Sequence, residues 1–195
     1  MKRLFDMLAS AIAIIVLLPL FIIIATWIII DDGTPIFFRQ RRVGKDQREF
    51  RIYKFRSMYK DTESSGQLTI GGKDPRVTKS GYFIRKYKID EFPQLLNVLA
   101  GDMSIVGPRP EVPKYVKYYS EEQLEVLSVR PGMTDPASIE FINEDEVLGK
   151  SEDPEKTYIE EILPQKLTLQ LGYVKKSGLV YDIKLIMQTL GKILR

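Results

Sequence analysis

The sequence contains neither cysteine nor histidine. Without cysteine there is no thiol nucleophile and no disulfide, and without either residue there is no zinc site of the Cys/His type. A Ser-His-Asp triad is also excluded, so acid–base and nucleophilic chemistry would have to use Asp, Glu, Lys, Tyr, Ser or Thr. A metal would need oxygen ligands, which favours Mg²⁺, Mn²⁺ or Ca²⁺.

Charge is absent from residues 7–30, an apolar run of 24 residues that begins MLASAIAIIVLL. About 20 apolar residues cross a bilayer core of roughly 30 Å, so this run is long enough. The apolar part of a cleavable signal peptide is shorter, and no small-residue cleavage site follows Ile30. The run is therefore either a transmembrane helix or a re-entrant helical hairpin that enters and leaves by the same face.

Pro19 lies near the middle of this run. Proline kinks or breaks a helix, and each half would be only about 16–18 Å long at 1.5 Å per residue. Positive charge marks the cytoplasmic side of a membrane, and basic residues flank both ends of the run: Lys2, Arg3, Arg39, Arg41 and Arg42. These residues alone slightly favour a kinked span, because proline is tolerated in spanning helices. Either topology leaves the remaining chain on one side.

The net charge of +3 hides two segments of opposite charge. Residues 39–60 carry nine Lys or Arg against two acids, and residues 140–161 carry nine Asp or Glu against two lysines. Cations beside a membrane attract anionic headgroups at about 1 kcal/mol each. The basic block therefore predicts either a membrane-surface patch or a site for a phosphorylated substrate, and the purpose of the acidic segment stays open.

The 195 residues allow one domain with an appendage. No Walker or Rossmann glycine pattern is present. Turn residues and periodicity predict a hairpin of strands 35–43 and 49–58, a mobile loop at 62–75 and an irregular loop at 101–113. Helices are predicted at 78–88 and 91–99, from Ser120 to about Val129 and after Asp153-Pro154, and a short strand at 138–142. The apolar stripe of 179–194 predicts a helix whose stripe packs in the core, with the membrane interface as the alternative.

Adjacent carboxylates, Asp90 and Glu91, follow a group of basic residues. Because proline is accepted only in a first helical turn, Pro93 predicts that a helix begins near Asp90. The two acids would then cap the helix N-terminus. The same geometry would keep a carboxylate ionised, as a nucleophile or a metal ligand requires.

Two consecutive motifs around this pair, IDEFPQLLNVL at 89–99 and GDMSIVGPRP at 101–110, resemble the signature of bacterial monotopic phosphoglycosyl transferases. These enzymes are the initiating sugar transferases of glycoconjugate and exopolysaccharide assembly. The segments IYKFRSM at 52–58 and VRPG at 129–132 also match, as does the start of the chain with Lys2, Arg3 and Asp6. The resemblance covers nearly the whole chain.

The resemblance implies transfer of a sugar-1-phosphate from a nucleotide-diphosphate sugar, with uridine as the expected base, to polyprenyl phosphate. The products would be a polyprenyl-diphosphate sugar and the nucleoside monophosphate, in the first membrane step of the pathway. Asp90 would be the nucleophile of a ping-pong scheme with a phosphosugar-aspartyl intermediate. Mg²⁺ would be required, with Asp90 and Glu91 as its candidate ligands. A re-entrant helix broken at Pro19 is also implied, which reverses the preference for a full span.

Lys54, Arg85 and Arg109 are the candidates to hold phosphate oxygens, and contact with the surface or with headgroups is the alternative. Asp102 and Glu111 would either orient these cations or be ordinary loop acids. The chain also departs from the family pattern in two places. Leu18-Pro19 stands where Ser-Pro is common, and a serine hydroxyl would help a bend. Many members continue the 130–132 motif with Thr-Gly and an arginine, but this chain continues MTDPASIEF, so no base-recognition residue is assigned.

The predicted fold is therefore α+β and predominantly helical. A re-entrant membrane helix at 1–33 would pack on a cytoplasmic catalytic domain at 34–195, which has a β-hairpin and amphipathic interfacial helices. The expected location is the cytoplasmic face of the bacterial inner membrane, in contact with membrane lipid. The competing function is a membrane-anchored scaffold that binds anionic lipid or nucleic acid through residues 39–60. The ordered motifs favour the enzyme, for which nucleic acid is not a partner.

Overall fold

The structure, a computed structural model, describes residues 1–60, 68 and 74–193. Most of the loop predicted at 62–75 lies outside these residues. The described chain is predominantly helical and has two small sheets, as the α+β prediction requires. Its α-helices are α1 (Lys2–Asp32), α2 (Lys79–Lys86), α3 (Gln94–Ala100), α4 (Pro113–Val116), α5 (Pro136–Glu140), α6 (Glu144–Leu148), α7 (Pro154–Thr157), α8 (Leu163–Lys176) and α9 (Leu179–Ile193).

The predicted hairpin is present. Strands β1 (Phe37–Val43) and β2 (Glu49–Phe55) pair antiparallel, with Phe37 opposite Phe55. The connection is a turn of 3-10 helix in which Asp46 has a positive φ of 55°, a conformation that Asp tolerates better than most residues. The hairpin carries the basic block, so its register decides which cations face the interior.

A second sheet replaces part of the irregular loop predicted at 101–113. Strand β3 (Ser104–Val106) pairs parallel with β4 (Gly132–Thr134). The two segments approach so closely that a Cβ on Gly132 would lie 2.1 Å from the backbone nitrogen of Gly107. The prediction was wrong here because the partner strand is distant in sequence. The pairing brings the 101–110 and 129–132 motifs together.

Helix α1 is continuous through Pro19, so the expected break does not divide it into two helices. A proline removes one backbone donor, and the apolar residues on both sides continue the helix. The helix is long and apolar enough to cross a membrane, and only 11% of its most apolar window is buried in the protein. The low burial of so apolar a helix indicates that it contacts a membrane and is not a helix of the protein core.

Both ends of α1 contact the same domain. At the N-terminal end the Lys2 ammonium donates to the carbonyl of Val106 at 3.0 Å and pairs with the buried Asp182 of α9. At the C-terminal end Ile24 and Ile28 are buried in a cluster with side chains of β2 and α2. The basic flank that indicated the cytoplasmic side is therefore also a structural attachment.

Helix α2 agrees with its prediction, and Thr78 caps it by accepting from the Gly81 amide at 2.9 Å. The expected capping of the next helix by Asp90 and Glu91 is wrong. These acids lie in a separate 3-10 turn (Ile89–Glu91) that follows Lys88, which has a left-handed conformation. Helix α3 begins only at Gln94 and has no side-chain cap. The turn leaves both carboxylates free to face other segments.

Two predicted caps are present, but one predicted strand is not. Ser120 and Gln123 exchange the expected pair of hydrogen bonds, although the helix they open is a 3-10 helix (Gln123–Ser128). Asp153 caps α7 as predicted. The strand expected at 138–142 is wrong, because Asp135 accepts from the Ser138 amide and begins α5 instead.

The C-terminal helices differ in how they pack. A turn of π-helix (Tyr158–Ile162) joins α7 to α8, and this segment closes the largest buried cluster together with Val43 and Leu127. The described residues cover only part of helix α9. Its Leu185 is buried, but Val180 is 84% exposed and Met187 64% exposed. Core packing was therefore the wrong expectation for most of the stripe, and the interfacial alternative stays open.

Candidate active site

One cleft of about 2370 Å³ is lined by the hairpin, the turn before α3, the segment after β3 and helices α2, α4, α5, α6, α8 and α9. A nucleotide sugar would fit easily, since ligand sites are commonly 300–1,000 Å³. All five residues predicted for catalysis and phosphate binding line it: Lys54, Arg85, Asp90, Glu91 and Arg109. Sequence positions up to 55 residues apart are thereby brought to one site.

Glu91 organises this site through ion pairs with two cations. Lys54, on β2, donates to Glu91 Oε1 at 2.9 Å. Arg109 contacts both oxygens through its planar fork, with Nη1 at 3.0 Å from Oε2 and Nη2 on Oε1. Each partner comes from a different segment, so this carboxylate joins the hairpin, the 3-10 turn and the segment after β3.

Burial and the neighbouring charges shift the pKa values of Glu91, Arg109 and Lys54 in opposite directions. Burial alone would raise the pKa of Glu91, but the charges and hydrogen bonds of Arg109 and Lys54 outweigh it and hold the pKa well below that of an ordinary glutamate. Glu91 raises the pKa of Arg109 in return. Burial lowers the pKa of Lys54, against the attraction of Glu91. Glu91 is therefore an ionised anchor for two cations rather than an acid poised to transfer a proton.

Asp90 has a different environment from its neighbour. It is only 6% exposed, and its Oδ1 is buried without a hydrogen-bond partner in the described part of the chain. Burial raises its pKa, and the positive charges of Lys54, Arg85 and Lys88 oppose that rise. A buried polar atom without a partner is costly. Asp90 lines a cleft rich in cations, and a carboxylate placed there suits contact with a bound anion's phosphorus or with a cation.

Arg109 is fixed through its backbone as well as its side chain. Its amide donates to Asp135 Oδ2 at 2.9 Å, and Gln170 of α8 donates to the same oxygen at 2.7 Å. Asp135 is fully buried and also caps α5. Sequence reasoning did not assign Asp135 a role. The signal was present, because an aspartate before Pro136 is typical of a helix cap.

A second polar network, which was also not predicted from the sequence, lines the cleft beyond Arg109. Arg42 donates to the carbonyl of Pro110 at 3.0 Å and pairs with Glu111, which accepts from the Tyr158 hydroxyl. Glu111 thus orients Arg42 and not the predicted phosphate ligands. The other candidate acid, Asp102, lies beside Asn97 of α3 and does not line the cleft.

Acids of the segment 140–161 form ion pairs and a helix cap near this part of the cleft. Glu144 pairs with Lys166 of α8 at 2.7 Å, and Asp153 caps α7. Glu155 pairs with Lys114 of α4. These contacts explain part of the negative charge at 140–161 as intramolecular pairing with basic residues elsewhere in the chain.

A divalent cation would find few protein ligands in this site. Across residues 1–60, 68 and 74–193, no three acids cluster as they would in a site built from protein ligands alone. The unpartnered oxygen of Asp90 fits a cation, whereas both oxygens of Glu91 are already engaged by Lys54 and Arg109. Mg²⁺ commonly binds through one or two carboxylates together with water and substrate phosphates. The donor set therefore fits Mg²⁺ bound with a phosphorylated ligand.

Comparison with known proteins identifies the class to which this fold and cleft belong. Residues 1–195 match the family model described as Bacterial sugar transferase. A protein of Aeromonas hydrophila, named UDP-N-acetylgalactosamine-undecaprenyl-phosphate N-acetylgalactosaminephosphotransferase, is 39% identical over 99% of this chain and 43% of its own length. The undecaprenyl-phosphate glucose phosphotransferase of Komagataeibacter xylinus is 36% identical over 98% of this chain and 35% of its own length.

The exopolysaccharide production protein PSS of Rhizobium leguminosarum bv. phaseoli is 33% identical over 97% of this chain and 92% of its own length. The chain belongs to the bacterial sugar transferase family. It spans less than half the length of the Aeromonas and Komagataeibacter relatives. The region shared with them therefore contains nearly all of α1 and of the cleft.

Replacing Arg109 by lysine tests whether the cleft binds a polyanion. A lysine keeps the charge but loses the planar fork that matches phosphate oxygens. We expect the affinity of Arg109→Lys for inorganic pyrophosphate, measured by calorimetry, to fall about tenfold, or about 1.4 kcal/mol. The matched control is Arg48→Lys, an exposed arginine of the hairpin turn outside the cleft. Equal loss in both variants, or no loss in either, would contradict this assignment.

Proposed function

We propose that this protein transfers a sugar-1-phosphate from a nucleotide-diphosphate sugar to polyprenyl phosphate, with Asp90 as the covalent nucleophile. One observation carries the proposal. Asp90 is buried and lines the cleft, one of its oxygens lacks a partner among the described residues, and the adjacent Glu91 holds two phosphate-binding candidates beside it. A carboxylate attacking phosphorus needs no histidine, in agreement with a chain that has none.

In the first half-reaction a carboxylate oxygen of Asp90 attacks the phosphorus that carries the sugar. A bond forms between this oxygen and phosphorus, and the bond from phosphorus to the oxygen that bridges the two phosphates breaks. The nucleoside monophosphate leaves with the bridging oxygen and its electron pair. Lys54 and Arg109 are held by Glu91 where they can neutralise charge on the phosphate oxygens during transfer.

In the second half-reaction a phosphate oxygen of polyprenyl phosphate attacks the same phosphorus. The bond between Asp90 and phosphorus breaks, and the aspartate recovers its carboxylate. The product is the polyprenyl-diphosphate sugar. Both steps take place at the same phosphorus and the same aspartate, so the two substrates can enter the cleft in turn.

Asp90 is the residue that would hold Mg²⁺, together with the donor's phosphates and water. The bound ion would supply charge neutralisation for the pyrophosphate. Glu91, the second predicted ligand, would take part only by releasing a cation that it holds. We therefore assign Glu91 mainly to positioning Lys54 and Arg109.

The names of the relatives support the choice of substrates. The Aeromonas relative is named for a UDP sugar and undecaprenyl phosphate, and the Komagataeibacter relative for undecaprenyl phosphate and glucose. A uridine nucleotide is accordingly the donor we propose to test first, in the first membrane step of glycoconjugate or exopolysaccharide assembly. The competing scaffold function has less support, because four cations of the basic block pair with acids within the protein: Arg41, Arg42, Lys54 and Arg56.

We further propose that residues 1–33 enter and leave the membrane by one face and that the catalytic domain, 34–195, lies on the cytoplasmic face of the inner membrane. Both ends of α1 contact the same domain, through Lys2 and Ile28, which supports this topology. A helix across the bilayer would have its two ends on opposite sides. A bend at Pro19 in the bilayer would let the helix dip into the membrane while its ends stay attached.

Substitution of Asp90 tests the reaction. We expect Asp90→Asn, incubated with a panel of UDP sugars, Mg²⁺ and polyprenyl phosphate, to lose at least about 1,000-fold of uridine monophosphate release, because the amide is not a nucleophile. Asp46→Asn is the matched control, since this acid of the hairpin turn is exposed and does not line the cleft. Normal turnover by Asp90→Asn would overturn the proposal.

The absence of native cysteine makes the topology directly testable. Single cysteines at Leu4, 63% exposed, and at Lys45, in the hairpin turn, report the two sides of α1. We expect an impermeant maleimide to label both sites in inside-out membrane vesicles and neither in right-side-out vesicles. Labelling of the two sites from opposite sides would contradict the one-face topology.

A further inference from the structure

Three exposed aromatic rings form a continuous row between α1 and α2. Trp27 is 38% exposed, Phe83 44% and Tyr87 39%. The ring centroids of Trp27 and Phe83 are 5.4 Å apart, and those of Phe83 and Tyr87 are 4.9 Å apart. Each ring thus contacts the next and also presents a face to the surroundings. We call this set the aromatic row.

Packing of α2 on α1 does not by itself account for these rings. Ile84, on the same helix, is fully buried with Ile24, Ile28 and Phe55 and makes the apolar contact between the helices. The rings lie outside this cluster. Large exposed aromatic groups that touch one another are typical of a surface that binds something apolar.

The position of the aromatic row connects the membrane helix with the cleft. Trp27 belongs to the apolar part of α1, near the highly exposed Ile30. Tyr87, at the other end, lines the cleft and precedes Asp90 by three residues. The row therefore runs from the part of the chain suited to lipid to the part suited to phosphate.

Positive charge is concentrated at the cleft end of the row. The Lys86 ammonium lies 5.3 Å from the centroid of the Tyr87 ring. Arg85 and Lys88 line the cleft beside it, and their charges act on Asp90. A ligand that fits this arrangement has an apolar chain and an anionic group at one end.

We propose that the aromatic row binds the first isoprene units of the polyprenyl phosphate acceptor and guides its phosphate to Asp90. This inference rests on the proposed function for the identity of the acceptor. Flat isoprene units suit contact with a row of rings, and the phosphate meets the cations at the end of the row. A nucleotide sugar, which is water-soluble, has no apolar chain to occupy it.

The single tryptophan of the chain provides a direct binding test that does not need activity. The full chain, in nanodiscs of fixed phospholipid composition, is titrated with undecaprenyl phosphate while Trp27 fluorescence is recorded. We expect a saturable change with undecaprenyl phosphate that neither undecaprenol nor phosphatidic acid reproduces. An equal response to phosphatidic acid would show a general lipid contact and overturn the proposal, as would no response at all.

Variants of Phe83 test whether the row serves the acceptor step alone. We expect Phe83→Ala to raise the KM for undecaprenyl phosphate about tenfold with little change in kcat, and Phe83→Leu, which keeps an apolar side chain, to give a smaller rise. Release of uridine monophosphate in a single turnover without acceptor should be unchanged. Tyr118→Ala is the matched control, because Tyr118 is exposed and lies outside both the row and the cleft.

The outcomes separate this inference from the proposed function. If the unmodified protein releases no uridine monophosphate from any donor, the proposed function fails, while the fluorescence titration still reports lipid phosphate binding. If the protein is active but Phe83→Ala has a normal KM for the acceptor, the inference fails. A loss of single-turnover release by Phe83→Ala would likewise contradict it, because the row would then affect the donor step.

Discussion

The ionised carboxylate of Glu91 is the interaction on which the rest of the site depends. It holds Lys54 and Arg109 together from two distant segments, although burial disfavours its charge. Buried ion pairs of this kind contribute little net stability, since desolvation offsets much of their attraction. Here the ion pairs serve to fix the positions of the Lys54 and Arg109 side chains. Because Glu91 satisfies the two cations, neither is drawn onto Asp90, and the neighbouring carboxylate keeps an unpartnered oxygen in the cleft.

A second constraint is the attachment of α1 at both ends. Lys2 and Asp6 hold its beginning on β3 and α9, and buried apolar residues hold its end on β2 and α2. The reaction we propose has one soluble and one lipid substrate, so its nucleophile would have to lie at headgroup level, and a helix tied in this way would fix that depth. The exposed apolar side of α9 would add a further contact with the interface.

The sequence predicted the features that local chemistry determines. The hairpin, the caps at Ser120 and Asp153, and the long apolar helix all follow from short patterns. Features that depend on distant partners were missed. The pairing of β3 with β4 needs two glycine segments that meet only in the fold, and the exposure of α9 depends on what its neighbours cover.

In the candidate site too, local features were predicted from the sequence and long-range contacts were not. Motifs in the sequence identified Asp90, Glu91 and Arg109, because these residues lie in continuous and recognisable segments. The ion pairs that give the two acids different roles could not be predicted, since they join β2 and the segment after β3 to one turn. The contact of Asp135 with the Arg109 amide and the network of Arg42, Glu111 and Tyr158 could not be predicted for the same reason, although the cap formed by Asp135 has a local signal.

The central claim, that Asp90 carries the phosphosugar, is tested most directly by mass spectrometry of the intact protein. The protein is incubated with a UDP sugar that it uses and Mg²⁺, without acceptor, and is then quenched and weighed. The account predicts a mass increase equal to one sugar phosphate, located by fragmentation at Asp90 and lost when polyprenyl phosphate is added. An unmodified protein after uridine monophosphate release, or a phosphosugar on another residue, would contradict it.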